Sequence, residues 1–464
     1  MRIGRKTSYK FNLQGSITNV VLPMLVFVQM TLFSACQSDG SVSDGGQKTM
    51  AFHVSTTRAT TRMSDAVTQI GQTYRGIQDV WLFPFHNDDG TSLSGNVVAR
   101  PEDMKQPAGS TVLNYFNDNF PEIPTNTNKF LCYARAVPES GKSVNGSLTP
   151  SITDASKVVT KSEITFTPVA LDASDVTFAV LGSSDPEDPT DEVNKNRKDR
   201  FIYPPELYYY AFSYIKSSSS SQKDYYTLAW SDVLAKYETD YATTNGSEAS
   251  IAIKDPLHYA VGCLQIGLVA NALLEDADGA EIKLSAGTPA AGETPATLGT
   301  FPLTGVFVTG QHQQAYDFTP VSNSAEKIIY DKAISGVTMG DSKVSTPAIF
   351  SNTLVLQTND GEGIRFALEF TNNSGVAFKG ANGEVPIDAK FYLVGSIQVT
   401  TGHAGTEAYK NRVFTKDYIT QGVVKIESLK QAYTYLPDLL DPRLEVTLKL
   451  EPDWIQSTTT NVPL

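Results

Sequence analysis

The chain has 464 residues and a formal net charge of −13 at pH 7, with 41% hydrophobic residues against 19% charged. That charge would repel a phosphate backbone and argues against nucleic acid as a partner, and three cysteines over this length do not make a disulfide framework. The length exceeds one ordinary core, so two domains of about 200 residues each are expected. The abundance of Tyr, Phe, Thr, Ser and Gly favours strands and turns over long helices.

The chain opens with a positive leader, Arg2, Arg5, Lys6 and Lys10, followed by an apolar run from Val20 to Ala35 that carries Gln29. The run is shorter than the ~20 residues of a bilayer-spanning helix and reads as a secretory signal over residues 1–35. Ser34-Ala35-Cys36 resembles a bacterial lipobox, with Phe33 where leucine is usual and Leu32 one place earlier. Cys36 is therefore expected to be acylated and to begin the mature protein; the alternative is an ordinary signal that contains a cysteine. Residues 36–48, rich in Gly, Ser and Asp, cannot bury enough apolar surface to fold and are expected to be a tether. Several acyl chains on one residue would hold the protein firmly at a membrane surface outside the cytoplasm.

Strands are expected next. TMAFHVST alternates at Met50, Phe52 and Val54, and GIQDVWLFPF (Gly76 to Phe85) is apolar enough for a central place in a sheet. Between them, Arg58 and Arg62 lie in TTRATTR without periodicity. Further strands are expected at Lys129 to Val137, Ser162 to Pro168 and Asp175 to Leu181. The run from Ser183 to Arg200 reads as a solvated loop, since its acidic residues lack the spacing of a calcium loop. YPPELYYY enters another strand, with Tyr208 and Tyr210 inward and Tyr209 outward. TLAWSDVLAKYETDY, around Trp230, reads as a helix with Ser231 as its N-cap.

The pattern restarts near Ile251, so the domains are placed at 49–250 and 251–464. PLHYAVGCLQIGLVANALL reads as one or two buried strands, with a helix as the alternative. GVFVTGQ, SNTLVLQT, GIRFALEF, KFYLVGSIQV and RLEVTLKL follow, and SLKQAYTYLPD adds a short amphipathic segment closed by Pro437. The expected fold class is all-β, a β-sandwich in each half with few short helices.

Chemistry leaves no trace in the motifs. None of the five histidines sits in a metal-protease or nucleophile motif, and there is no phosphate-cradling glycine loop. Cys132 and Cys263 lie within apolar strands and read as core thiols, although a bridge between them remains open. No enzyme activity, metal or cofactor is expected. The tyrosines around Tyr209 could instead stack on sugars.

Several landmarks occur together: Cys36, RGIQDVWLFPF, YPPELYYYAFS, DPLHYAVGCLQI, PLTGVFVTGQ, KFYLVGSI, RVFTKDYIT and SLKQAYTYLPDLLDPRLEV. In their order and spacing the chain resembles the fimbrillin-like lipoproteins of Bacteroidales, subunits of the type V pilus. The resemblance implies two transthyretin-like β-sandwich domains and an adhesive role at the outer membrane and in a surface fimbrium. It also implies assembly by donor-strand exchange with other fimbrillin subunits. A trypsin-like protease would cut after Arg62 or Arg58, with Arg62 favoured and Arg75 a weaker candidate, and release the strand Thr49 to Thr56. The plain alternative is that both arginines are loop residues. The ten residues after Trp454 look a poor donor strand, which points to a tip or accessory subunit over a stalk pilin. The rival readings are a surface lipoprotein that binds glycans without polymerising, and an extracellular hydrolase, for which no residue pattern speaks.

Overall fold

The computed structural model describes residues 50–55, 74–86, 104–105, 112–115, 127–138, 160–172, 199–216, 249–253, 255, 257–283, 301–332, 334, 336–339, 350–397, 411–444, 446, 448–450 and 453–456. Outside the described residues lie Cys36, Arg58, Arg62, the helix expected around Trp230, the strand expected at Asp175 to Leu181 and nearly all of the polar run after Ser183. The described residues consist of strands, turns and short 3-10 segments such as Lys161–Glu163, so the fold class is all-β.

The first half builds one eight-stranded sheet. Its order is β2 (Tyr74–Phe85), β5 (Lys129–Pro138), β8 (Tyr208–Lys216), β9 (Ala249–Ile253), β1 (Met50–Ser55), β4 (Val112–Tyr115) and β3 (Met104–Lys105). β10 (His258–Tyr259) pairs with β8 beside this path. The apolar run of β2 suggested a central strand, but among the described strands β2 ends the hydrogen-bonded path and pairs with β5 alone. The consecutive buried residues Leu82, Phe83, Pro84 and Phe85 show why. Burial of both faces produces the same unbroken apolar pattern as a central position, and pattern alone does not separate them. Arg75 falls inside β2. The expected strand from Ser162 begins as the 3-10 turn Lys161–Glu163 and narrows to β6 (Thr165–Phe166).

The second half is a two-sheet sandwich. One sheet runs β12 (Glu281–Lys283), β11 (Gly262–Glu275), β21 (Tyr418–Ser428) and β23 (Asp453–Gln456), with β16 (Phe350–Val355) also on β11. The other runs β22 (Leu448–Leu450), β20 (Lys390–Ile397), β17 (Ile364–Thr371), β13 (Leu303–Gln311), β15 (Lys327–Asp331) and β7 (Phe201–Ile202), the last a strand contributed by the first half of the chain. PLHYAVGCLQIGLVANALL thus becomes two strands, β10 and β11. Between the sheets Leu264, Ile266 and Leu268 of β11 meet Val306 and Val308 of β13, Phe366 and Leu368 of β17 and Leu393 of β20.

Period-2 alternation sends the intervening residues to the other face of the six-stranded sheet. There Phe307, Ala367, Tyr392 and Val394 form a second core with Phe201, Tyr330, Leu436 and Leu439. This sheet is therefore covered on both sides, the outer cover being the segment Tyr433 to Val446. Arg365 fastens that cover: its guanidinium donates to the carbonyls of Leu439 (3.0 Å), Pro442 (3.2 Å) and Asp441. Two small pairs complete the fold, β14 (Gln314–Ala315) with β6, and β18 (Phe378–Lys379) with β19 (Glu384–Val385). Residues Thr49–Leu464 pack as one compact unit.

Candidate functional site

β1 is an inner strand whose neighbours come from far along the chain. It runs parallel to β9, with Met50 opposite Ala249 and His53 opposite Ala252, and antiparallel to β4, with Val54 opposite Leu113. Ladder hydrogen bonds are made by backbone groups, so the slot between β9 and β4 selects an extended segment and not a particular sequence. Without β1, both β9 and β4 would present unpaired N–H and C=O groups, the condition under which a strand from another chain can dock.

The tyrosine cluster differs from its expected alternation. Tyr208 is fully buried, but Tyr209 is also only 9% exposed and Tyr210 is half-buried. The cause is β10, which pairs Tyr259 opposite Tyr209 and brings the two rings to 5.0 Å. Tyr209 is therefore covered and offers no open face for a sugar.

The two halves meet at a plug. The loop after β14 carries Phe318, fully buried and held at φ 57, among rings of the first half. Phe318 stacks on Phe166 at 4.3 Å and lies 5.9 Å from Tyr133, 5.8 Å from Tyr210 and 6.1 Å from Tyr208. A positive φ costs an ordinary residue roughly 1–2 kcal/mol, which the ring packing offsets. Around the plug the Tyr133 hydroxyl donates to the Tyr316 carbonyl, the β6–β14 pair joins the halves by backbone, and the Gln313 amide reaches Thr165 and Thr167. Lys416 lies over the Tyr210 ring at 4.5 Å and donates to the Asp317 carbonyl, while Asp417 accepts from the Tyr259 N–H at 2.8 Å.

Two further polar sites stand in the second half. Glu369 of β17 is fully buried and fully partnered: Oε1 accepts from Thr304 (2.9 Å) and Lys390 (2.6 Å), Oε2 from Tyr330 (2.9 Å) and Tyr392 (3.0 Å). Such saturation fixes four strands, β13, β15, β17 and β20, and leaves the carboxylate no lone pair aimed at a substrate. His312 pairs with Glu362 at 2.8 Å, and neither residue was singled out by sequence, because fifty positions separate them. Cys132 and Cys263 are buried and unbridged, and burial pushes both thiols far above their ordinary range, so neither is a nucleophile. Among the described residues no three His, Cys, Asp or Glu side chains gather to hold a metal, and no helix is long and apolar enough to cross a membrane.

No family model matches the chain, and no curated protein matches it by sequence. Solved structures do resemble it. One is a protein of Parabacteroides distasonis provisionally assigned to cell adhesion (12% identity, TM-score 0.39, 88% of this chain and 97% of that one). Another is the fimbrillin FimA of Porphyromonas gingivalis (9% identity, TM-score 0.34, 89% and 98%). A third is the fimbrial anchor protein Mfa2 of the same organism (9% identity, TM-score 0.31, 81% and 89%).

Proposed function

We propose that this chain is a structural and adhesive subunit of a type V fimbria, exported as an outer-membrane lipoprotein precursor anchored through Cys36. Cleavage after Arg62 or Arg58 frees β1, and a strand from another fimbrillin subunit takes the slot between β9 and β4. The single observation that supports this reading is the inner position of β1: a short strand from the start of the chain, ahead of both arginines, pairs on both edges. Backbone pairing lets a borrowed strand replace it in kind. The halves 49–250 and 251–464 act as the two domains of the subunit, joined through the Phe318 plug and through the β7–β15 and β8–β10 backbone pairs that cross between them. The tip or accessory role is retained, because β22 and β23 already pair with β20 and β21 and are engaged within their own subunit.

The test is the double variant Arg58→Ala, Arg62→Ala expressed in the native surface background. Uncut precursor should accumulate in the membrane fraction and be missing from sheared fibres. Fibres that incorporate the variant at the normal level would overturn the proposal.

A further inference from the structure

The plug loop is not free at its base. It follows the end of β13, where the penultimate residue Gly310 has φ +75 and a Cβ would fall 2.1 Å from Ile364 Cδ1, so the chain bends there only as glycine. Glu326 accepts the Gly310 N–H at 2.8 Å and closes the near side. His312 closes the far side. Its Nε2 meets Glu362 Oε1 at 2.8 Å and its Nδ1 faces the Ser324 carbonyl at 3.3 Å, so one ring ties the start of the loop to its return and to the turn before β17. Glu362 is itself positioned by the Asn359 N–H (3.0 Å) and side-chain amide (3.1 Å) on Oε2. His312 has 9% and Glu362 18% of its side chain exposed, so water screens the pair little.

We propose that His312 and Glu362 form a proton-controlled latch on the Phe318 loop, which stiffens the joint between the two halves when His312 is charged and loosens it when the imidazole is neutral. The geometry asks for the charged form. Both ring nitrogens face acceptors, the Glu362 carboxylate and the Ser324 carbonyl; the Ser324 hydroxyl, 3.5 Å from Nδ1, spends its proton on the Val321 carbonyl at 2.9 Å, so only imidazolium donates on both sides. The charged groups that bear on the ring are acidic: Glu362 from the turn before β17 and Glu326 from the returning strand of the loop. The nearby Asp360 is already paired with Arg412. The Glu362 hydrogen bond raises the imidazole pKa against the opposing pull of burial, while His312 and Asn359 hold the Glu362 carboxyl below its ordinary value despite burial. A raised histidine contributes stability that is complete below the unfolded value of about 6.5 and is lost as pH climbs through the folded value. A lowered carboxyl contributes stability that is complete above its unfolded value of about 4.3 and is lost as pH falls through the folded one. The latch is therefore closed in mildly acidic to neutral conditions and opens towards alkaline pH.

Hydrogen exchange on the full chain reads the latch at the amides it protects, Ala315, Phe318 and Val321, whose N–H groups donate to Thr319, Ala315 and Gln313. Corrected for intrinsic exchange chemistry, their protection should fall by about tenfold or more from about pH 6 to about pH 9, with amides of β17 unchanged. His312→Gln should show low protection that no longer varies with pH. Flat wild-type protection, or a pH response that survives in His312→Gln, overturns the latch. Should that variant fail to fold, proton NMR titration of the His312 ring in the unmodified chain decides. A midpoint above about 6.5 supports the latch, and one at or below that value refutes it.

Discussion

Replacing Phe318 by alanine tests how firmly the halves are joined. The ring is fully buried, stacks on Phe166 and lies within about 6 Å of Tyr133, Tyr208 and Tyr210. Truncating a buried phenylalanine costs about 3–5 kcal/mol, the lost transfer energy plus the cavity left behind. Alanine keeps the Cβ and therefore the strain at φ 57, so nothing is recovered there; Phe318→Gly recovers roughly 1 kcal/mol of it and should sit slightly above alanine. The loss should fall on the joint more than on the sandwich, since the Leu264–Phe366–Leu393 core contains no plug residue. Urea unfolding followed by hydrogen exchange would show this. Protection in the Tyr133 and Tyr208 strands and in the plug loop should drop by at least about a hundredfold, while that of β17 and β20 changes little. If Phe318→Ala costs less than about 1 kcal/mol, or if β17 loses protection as much as the plug, the plug does not join the halves as described.

Three other outcomes follow from the same geometry. Glu369→Ala strands the buried Tyr330 and Tyr392 hydroxyls and should cost about 2–5 kcal/mol in chemical denaturation. Adding Tyr330→Phe and Tyr392→Phe should recover part of that loss, and additive costs would argue against a shared network. Cys132 and Cys263 should resist alkylation in the native protein and react fully once it unfolds; modification of the folded chain would contradict their burial. Arg365→Met removes the donors that hold the carbonyls of Leu439, Asp441 and Pro442, so limited proteolysis should cut faster within residues 436–446 than in wild type.

Much of the strand order was legible because alternation and turn residues are local. Of the strand read as KFYLVGSIQV, Lys390–Ile397 forms β20 and the last two residues lie outside the described ones, while GIRFALEF became β17 within one residue at either end. β21, absent from the expected strands, carries a local signal of its own: Val424 and Ile426 are buried while Lys425 and Glu427 are exposed, the pattern of a one-sided strand. β2 is a strand as expected, but among the described strands it ends the hydrogen-bonded path, because double burial and central position leave the same apolar signature. Tyr209 was expected to be exposed since alternation says which side a residue takes, not what lands on that side; β10 covers it from fifty residues downstream. The polar partners were out of reach for the same reason. Glu369 looks like any strand glutamate until Tyr330, Tyr392 and Lys390 arrive from neighbouring strands, and His312 meets Glu362 only when β13 and β17 pair. Phe318 sits in a loop with no periodicity, where its role comes wholly from the rings of the other half.

Strand exchange requires that β1 be replaced within its sheet, and the N-terminal residue of the protein in sheared surface fibres decides the point. Mass spectrometry should find a chain beginning at Met63 or Ala59, immediately after Arg62 or Arg58 and lacking the β1 sequence. A chain in fibres that still begins at acylated Cys36, with Met50–Ser55 intact, would contradict strand replacement.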